Sequence, residues 1–346
     1  MIYKRIIRSV LFLFPPETVH SFVVLTLKYT LKIPGVRLLL KNIFHYSTKP
    51  LERTIFGIKF SNPVGLAAGF DKNAEYYNDL SCFGFSFIEI GTVTPLSQPG
   101  NPRPRSFRLP EDKALINRMG INNNGVKAVA ANLRNNNPGI IIGGNIGKNT
   151  STSNESAIDD YKECFEVLHE VVDYLVVNVS CPNIGDIKRL QDSDILIDIL
   201  TMLQSYSLSK PRQIPILLKI SPDLNYSQLD ELVEIAVKTG IAGFVATNTT
   251  ILRDNLKSPS TKIEKAGKGG LSGLPLRERS TEIIRYLVQK SDGKFPVIGV
   301  GGIMSAQDAL DKLNAGASLV QIYTGFIYEG PFLVKKINKA ITQNSF

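Results

Sequence analysis

The stretch Asn-Val-Ser-Cys-Pro-Asn at residues 178–183 sets a thiol, Cys181, on a turn between amides, just after the apolar residues Val176 and Val177. A cysteine that only fills space is more at home inside such an apolar run. A free thiol titrates near about 8.5, and local charge can lower that value, so a loop thiol can accept a proton. The chain has three histidines, His20, His45 and His169, and none follows a predicted strand. That argues against a histidine-based triad or a histidine-ligated metal and leaves proton transfer to another group. Cys181 is therefore read as a general base rather than a buried turn residue. Cys82 and Cys164 read as core. An odd cysteine count without CxxC spacing argues for a reducing compartment with neither disulfide framework nor zinc site.

Other polar groups recur at the ends of short apolar runs: 63–69, 85–92, 140–147, 174–180, 215–221, 243–249, 296–302 and 318–325. Their ends give Ala68, Gly69 and Lys72, then Thr92, Asn145 with Lys148, and Asn178 with Cys181 and Asn183. Lys219, Thr247-Asn248-Thr249, Gly301-Gly302 and Tyr323-Thr324-Gly325 complete the series. Asp71 is the one acid near a strand end in the first half. Amides both donate and accept, as the edge of a heterocycle requires. Lysines offset a carboxylate or a reduced, anionic ring, and glycines admit a flat ring to the backbone. The last two runs carry the glycine and threonine turns with which barrels hold phosphate. Flavin mononucleotide (FMN) fits that set.

Amphipathic stretches fill most of the gaps, and continuous apolar runs alternating with helices predict a parallel sheet covered on both faces. Eight such units predict an α/β fold, a (β/α)8 TIM barrel over residues 46–346. A doubly wound sheet is second, because no GxGxxG follows the first run. Residues 93–117, rich in proline and without helix signal, and 250–275, polar and glycine-rich, read as long loops. With 186–194 they are candidates for a lid that excludes water.

Residues 1–45 differ, and read as a small helical extension. Ile2, Ile6, Val10 and Leu13 fall on one helical face; Pro15-Pro16 restart a helix with Val19, Phe22, Val23 and Leu27 on one side; Pro34-Gly35 break it. This segment holds seven Lys or Arg and one acid, Glu17, and so carries most of the net charge of +9. That distribution argues against a nucleic-acid surface. Two readings stand: a cap packed on the barrel, or a helix pair at the membrane interface with basic groups toward anionic lipid. No apolar run approaches the roughly 18 residues of a membrane span, and the run at residues 10–14 is short for a signal peptide.

Blocks along nearly the whole chain resemble the dihydroorotate dehydrogenase family. They are NPVGLAAGFDKN (62–73), IEIGTVTP (88–95), NPRPRSFRL (101–109), LINRMGINNNG (115–125), NIGKN (145–149), NVSCPN (178–183), ATNTT (246–250), GGLSG (269–273), GVGGI and QIYTG. The N-terminal extension is similar to that of the membrane-associated class 2 enzymes, which pass electrons to quinone. The resemblance implies FMN contacts at Ala68, Gly69, Phe70, Asp71, Lys72, Thr92, Asn145, Asn178, Lys219, Thr247, Gly273, Gly302, Tyr323 and Thr324. It implies substrate contacts at Lys72, Asn117, Arg118, Met119, Gly120, Ile121, Asn178, Asn183, Asn248 and Thr249. Cys181 takes the base position, where class 2 enzymes usually have serine and soluble class 1 enzymes cysteine. The extension concerns the acceptor itself, and the base only the first half-reaction, so class 2 is retained.

The implied activity is oxidation of (S)-dihydroorotate to orotate in pyrimidine biosynthesis. Cys181 removes the C5 proton, C6 delivers hydride to flavin N5, and quinone enters through the N-terminal helices, where His20 is a candidate neighbour. The implied location is the cytoplasmic side of a bacterial inner membrane, peripherally attached, with no metal and no nucleic acid. Alternatives are a class 1-like enzyme using fumarate, or NAD through a partner subunit since no iron–sulfur cysteine set is present; a flavin barrel acting on nucleic-acid uridine; and a non-enzymatic peripheral membrane module.

Overall fold

The computed structural model describes residues 3–135, 139–179 and 193–344. The eight apolar runs form eight parallel strands: β1 (Val64–Leu66), β2 (Phe87–Val93), β3 (Ile141–Ile146), β4 (Tyr174–Asn178), β5 (Ile216–Ile220), β6 (Gly243–Ala246), β7 (Val297–Val300) and β8 (Leu319–Ile322). Each pairs with the next in sequence and β8 pairs with β1, closing a TIM barrel. The strands are buried almost throughout, as expected of a sheet covered by helices outside and by its own side chains inside. The outer core lies between strands and helices such as Ala157–Leu168, Tyr226–Thr239, Arg277–Lys290 and Ala306–Asn314. Tyr226–Thr239 starts at a reciprocal cap between Asn225 and Gln228.

Inside the barrel, Phe60, Phe87, Tyr174, Val176, Leu217, Val245, Ile298 and Leu319 fill the interior. Gly143 on β3 makes this possible: a Cβ there would stand 2.3 Å from the Tyr174 ring. Cys82 and Cys164 are buried, in line with the core reading.

The two long excursions are not free loops. Ser106–Leu109 and Ala114–Asn117 form an antiparallel pair, and Gly270–Gly273 adds a third strand, with Asn117 opposite Gly270. A helix, Ser260–Ala266, lies in the second excursion. The expectation of long loops is corrected: the excursions hold each other, since each supplies backbone partners that the other lacks.

The N-terminal segment is helical over Tyr3–Leu11, α1 (Pro16–Thr30) and α2 (Val36–Phe44). It rests on the mouth of the barrel. The Tyr3 hydroxyl donates to the Ile327 carbonyl (2.6 Å), Arg8 to the Tyr328 carbonyl (2.9 Å), and Arg37 pairs with Asp79 (2.7 Å). The expected single apolar face of α1 divides: Leu27 packs against the core and Val24 is buried, whereas Phe22 is 61% exposed and Val23 41%. Ile6, Val10, Leu13, Leu25, Leu38 and Leu39 are exposed as well. No single described helix is long and apolar enough to cross a membrane, and the axes of Tyr3–Leu11 and α1 meet at 118°.

Candidate active site

A cavity of about 760 Å³ opens at the C-terminal ends of the strands and extends between them and the N-terminal helices. One wall is polar: Thr92, Asn178, Lys219, Thr247, Asn248 and Thr249 line it, with Lys72 and Asn117. The opposite wall carries Val19, His20, Val24 and Leu27 of α1, facing Phe70 and Tyr323. Such a cavity, largely apolar with a few converging polar groups, is the usual form of a small-molecule site.

The polar wall is held by a series of hydrogen bonds that descends into the barrel. Asn248 Nδ2 donates to Asn178 Oδ1 (3.3 Å), and Asn178 Nδ2 donates to Thr92 Oγ1 (2.9 Å). Thr92 Oγ1 donates to Asn145 Oδ1 (2.5 Å), and Asn145 Nδ2 to Glu89 Oε1 (2.7 Å). The Glu89 carboxylate, fully buried in the middle of β2, also accepts from Lys219 Nζ (3.2 Å) and Gln321 Nε2 (2.6 Å). Two ions removed from water need such added partners to offset their lost hydration.

Asn145, among the expected contacts, lies wholly buried beneath Thr92, because its alternate position along β3 directs it into the barrel. In the segment 117–121, Asn117, Met119 and Ile121 line the cavity, while Arg118 and Gly120 do not. The Arg118 guanidinium turns outward to the Pro104 carbonyl (3.0 Å), as alternation along an extended segment dictates. Asp71 reaches the cavity, yet its carboxylate accepts the backbone N–H groups of Glu75, Tyr76 and Tyr77 and pins the loop after β1. Lys72 Nζ donates to Asn122 Oδ1 (3.0 Å). Cys181, Asn183 and most of the 186–194 loop lie outside the described residues.

The opposite end of the cavity has the shape of a phosphate cradle. Gly273, Gly301, Gly302 and Thr324 line it, and a Cβ at Gly302, where φ is +73°, would stand 2.3 Å from Arg277 Cα. Below it, Lys312 Nζ donates to Ser280 Oγ (2.9 Å), which donates to the Val300 carbonyl (2.7 Å) just before the glycines. Ser305 caps the following helix. A turn bare of side chains at one end, and amides with a lysine at the other, fit FMN.

On the apolar side the His20 ring packs edge-on against Phe70 (5.0 Å between centroids), and Phe70 against Tyr323 (5.5 Å). Burial, with the Lys72 charge adding to it, lowers the His20 pKa to about 4, so its imidazole is neutral at physiological pH. Burial raises the Tyr323 phenol to about 12. Sequence reasoning missed Glu89, Gln321 and Arg105. The available signals were an acid and an amide within otherwise apolar strand runs and, for Arg105, an arginine inside a proline-rich excursion.

Comparison with known proteins bears on this site. The profile of the family described as dihydroorotate dehydrogenase matches residues 50–344. A protein of Christiangramia forsetii named dihydroorotate dehydrogenase (quinone) is 55% identical over 341 residues, covering 99% of each chain. A Synechococcus protein of the same name is 44% identical, over 98% of this chain and 92% of its own. The crystal structure of DHODH in complex with ferulenol from Eimeria tenella superimposes with a TM-score of 0.82 at 35% identity, covering 95% of this chain and 91% of that one.

Proposed function

The chain belongs to the dihydroorotate dehydrogenase family, and from that premise we propose that it oxidises (S)-dihydroorotate to orotate and passes the electrons to a membrane quinone. The observation that carries this reading is the single cavity with two unlike walls, amides and lysine on one side and α1 with Phe70 and Tyr323 on the other. A polar, anionic substrate suits the first wall and an apolar acceptor the second.

FMN, held by Gly273, Gly302 and Thr324 at its phosphate end and by Thr92, Asn178, Lys219 and Thr247 at its ring, supplies the hydride acceptor. Asn117, Asn178, Asn183 and Asn248 bind and orient the carboxylate and ring amides of the substrate. Lys219 places a positive charge at the ring end, where negative charge develops. Cys181 removes the proton at C5. The reading divides the chain into residues 1–45, which give access to quinone and membrane, and the barrel of residues 46–346. Exposed Phe22, Leu25, Leu38 and Leu39 rest on lipid, with Lys28, Lys32 and Lys41 near its anionic surface. The same proposal puts the protein peripherally on the cytoplasmic face of the inner membrane.

The test is dihydroorotate oxidation by the purified, detergent-solubilised protein, with a quinone, fumarate or NAD as sole acceptor. Turnover with quinone alone supports the proposal. Turnover with fumarate and not quinone would assign it to the class 1 chemistry that Cys181 resembles.

A further inference from the structure

Glu17 lies in the first turn of α1, and its carboxylate reaches the excursion after β2. Arg105 Nε donates to Glu17 Oε2 at 3.1 Å. The Arg105 side chain is 6% exposed and that of Glu17 21%, so solvent screens this pair little. Arg103 approaches the same oxygen at 3.3 Å, but it is 74% exposed and adds little.

Arg105 does not stop at Glu17. Its Nη1 donates to the carbonyls of Pro99 (2.7 Å) and Asn101 (3.0 Å), so one guanidinium ties both ends of the 99–105 turn. That turn is in contact with the segment expected to face the substrate. Asn101 N donates to the Met119 carbonyl (3.1 Å), Asn101 Nδ2 to the Arg118 carbonyl (2.8 Å), and Arg118 N to the Arg105 carbonyl (2.8 Å). Of the preceding residues, Leu96 is anchored to the barrel side, its N donating to Asn149 Oδ1 (2.9 Å), while Gln98 Nε2 holds the far end of the strip at the carbonyls of Gly120 and Ile121. Residues 99–105 thus form one link, the one that passes through Glu17, between α1 and the strip Asn117, Met119 and Ile121.

We propose that the Glu17–Arg105 pair is a positioning contact through which α1 sets the substrate strip, so that the N-terminal helices contribute to dihydroorotate binding as well as to acceptor access. This rests on the substrate reading given above. Neither residue is catalytic, for both act through the backbone of 99–105 on the strip. With the pair intact, the carbonyls of Arg118 and Met119 are held from outside, and the cavity-facing side chains of Asn117, Met119 and Ile121 keep their places.

The experiment compares wild type, Glu17→Gln and Arg105→Lys, each as the FMN-loaded full chain, without any electron acceptor. Orotate is titrated by its perturbation of flavin absorbance, reduction by dihydroorotate is followed by stopped flow, and amide hydrogen exchange is mapped. Expected are a rise of about fivefold or more in the orotate Kd and in the half-saturating dihydroorotate concentration, at unchanged limiting reduction rate. Faster exchange is expected in 99–105 and 117–121 as well as in 16–30. Glu17→Gln is nearly isosteric and carries the test should Arg105→Lys fold poorly. Tyr29→Ser, at an exposed position of α1 away from the cavity, leaves the orotate Kd and the half-saturating dihydroorotate concentration at wild-type values. Exchange that quickens in 16–30 alone, with orotate affinity within twofold of wild type, overturns the proposal. A wild type that binds no orotate counts against the substrate assignment, while the exchange map still decides the coupling.

Discussion

The two walls of the cavity are fixed by different means. The polar wall stands on a closed series of buried hydrogen bonds ending at Glu89, within a barrel that has no open edge. The α1 wall is held by a few contacts at its ends, among them Arg105–Glu17 and Arg108 to the Phe14 carbonyl (2.6 Å), while large apolar side chains on its outer side face outward. A wall that must hold atoms in register for chemistry is built rigid. A wall that, on the proposed function, admits an apolar acceptor has fewer polar fastenings and keeps apolar surface uncovered.

The sharpest way to break this division is at the proposed base. Cys181→Ala is expected to slow flavin reduction by dihydroorotate roughly 10²–10⁴-fold, while chemically reduced enzyme is reoxidised by quinone at the wild-type rate. Stopped-flow measurement of the two half-reactions decides it, and equal losses in both would dissolve the division. Next in size is Glu89→Gln, which leaves Lys219 buried without its counter-charge. Urea unfolding should show a loss of about 3–5 kcal/mol. A loss below about 1 kcal/mol would mean that the polar wall does not depend on its buried end.

A smaller effect belongs to the opposite wall. His20 titrates near about 4 when folded, below its ordinary value of 6.5, so the unfolded chain takes up the proton first as pH falls. Stability should therefore decline between pH 6.5 and about 4, by at most about 3 kcal/mol, with no further contribution from this group below that range. Thermal unfolding across the window, with His20→Phe expected to flatten that part of the profile, is the check. Smallest of all is the effect of Phe22→Ser on folding, expected within about 0.5 kcal/mol. The same change should weaken partitioning onto anionic vesicles by roughly 1.5–3 kcal/mol, read by flotation, and unchanged partitioning would remove Phe22 from the membrane-facing surface.

The barrel was legible because strands buried on both faces leave continuous apolar runs, each ending in residues such as Asn178 or Thr247 that no core would choose. The excursions were not, because Pro99, Pro102, Pro104 and Pro110 mask the local pair Ser106–Leu109 with Ala114–Asn117, and the third strand lies some 150 residues away, a pairing invisible to local pattern. Among the site residues, the Arg118 side chain turns to Pro104 between neighbours, Asn117 and Met119, that line the cavity. Glu89 was passed over because attention to strand ends misses a charge inside a strand. The segment most open in sequence, residues 1–45, carried two readings; the packing of α1 on the barrel along one side agrees with the cap, and its other side is bare.

The carboxylate at the foot of the polar wall has one further consequence. A carboxylate paired with a lysine only accepts, so every bond in the series from Asn248 through Asn178, Thr92 and Asn145 points toward it. Reversing any one amide would set oxygen against oxygen or N–H against N–H at the next link. A single charge therefore gives the wall a sense of direction, much as one fixed tooth sets the rotation of a train of gears. A flat ring whose edge carries its donors and acceptors in the opposite order meets a surface that cannot turn to suit it.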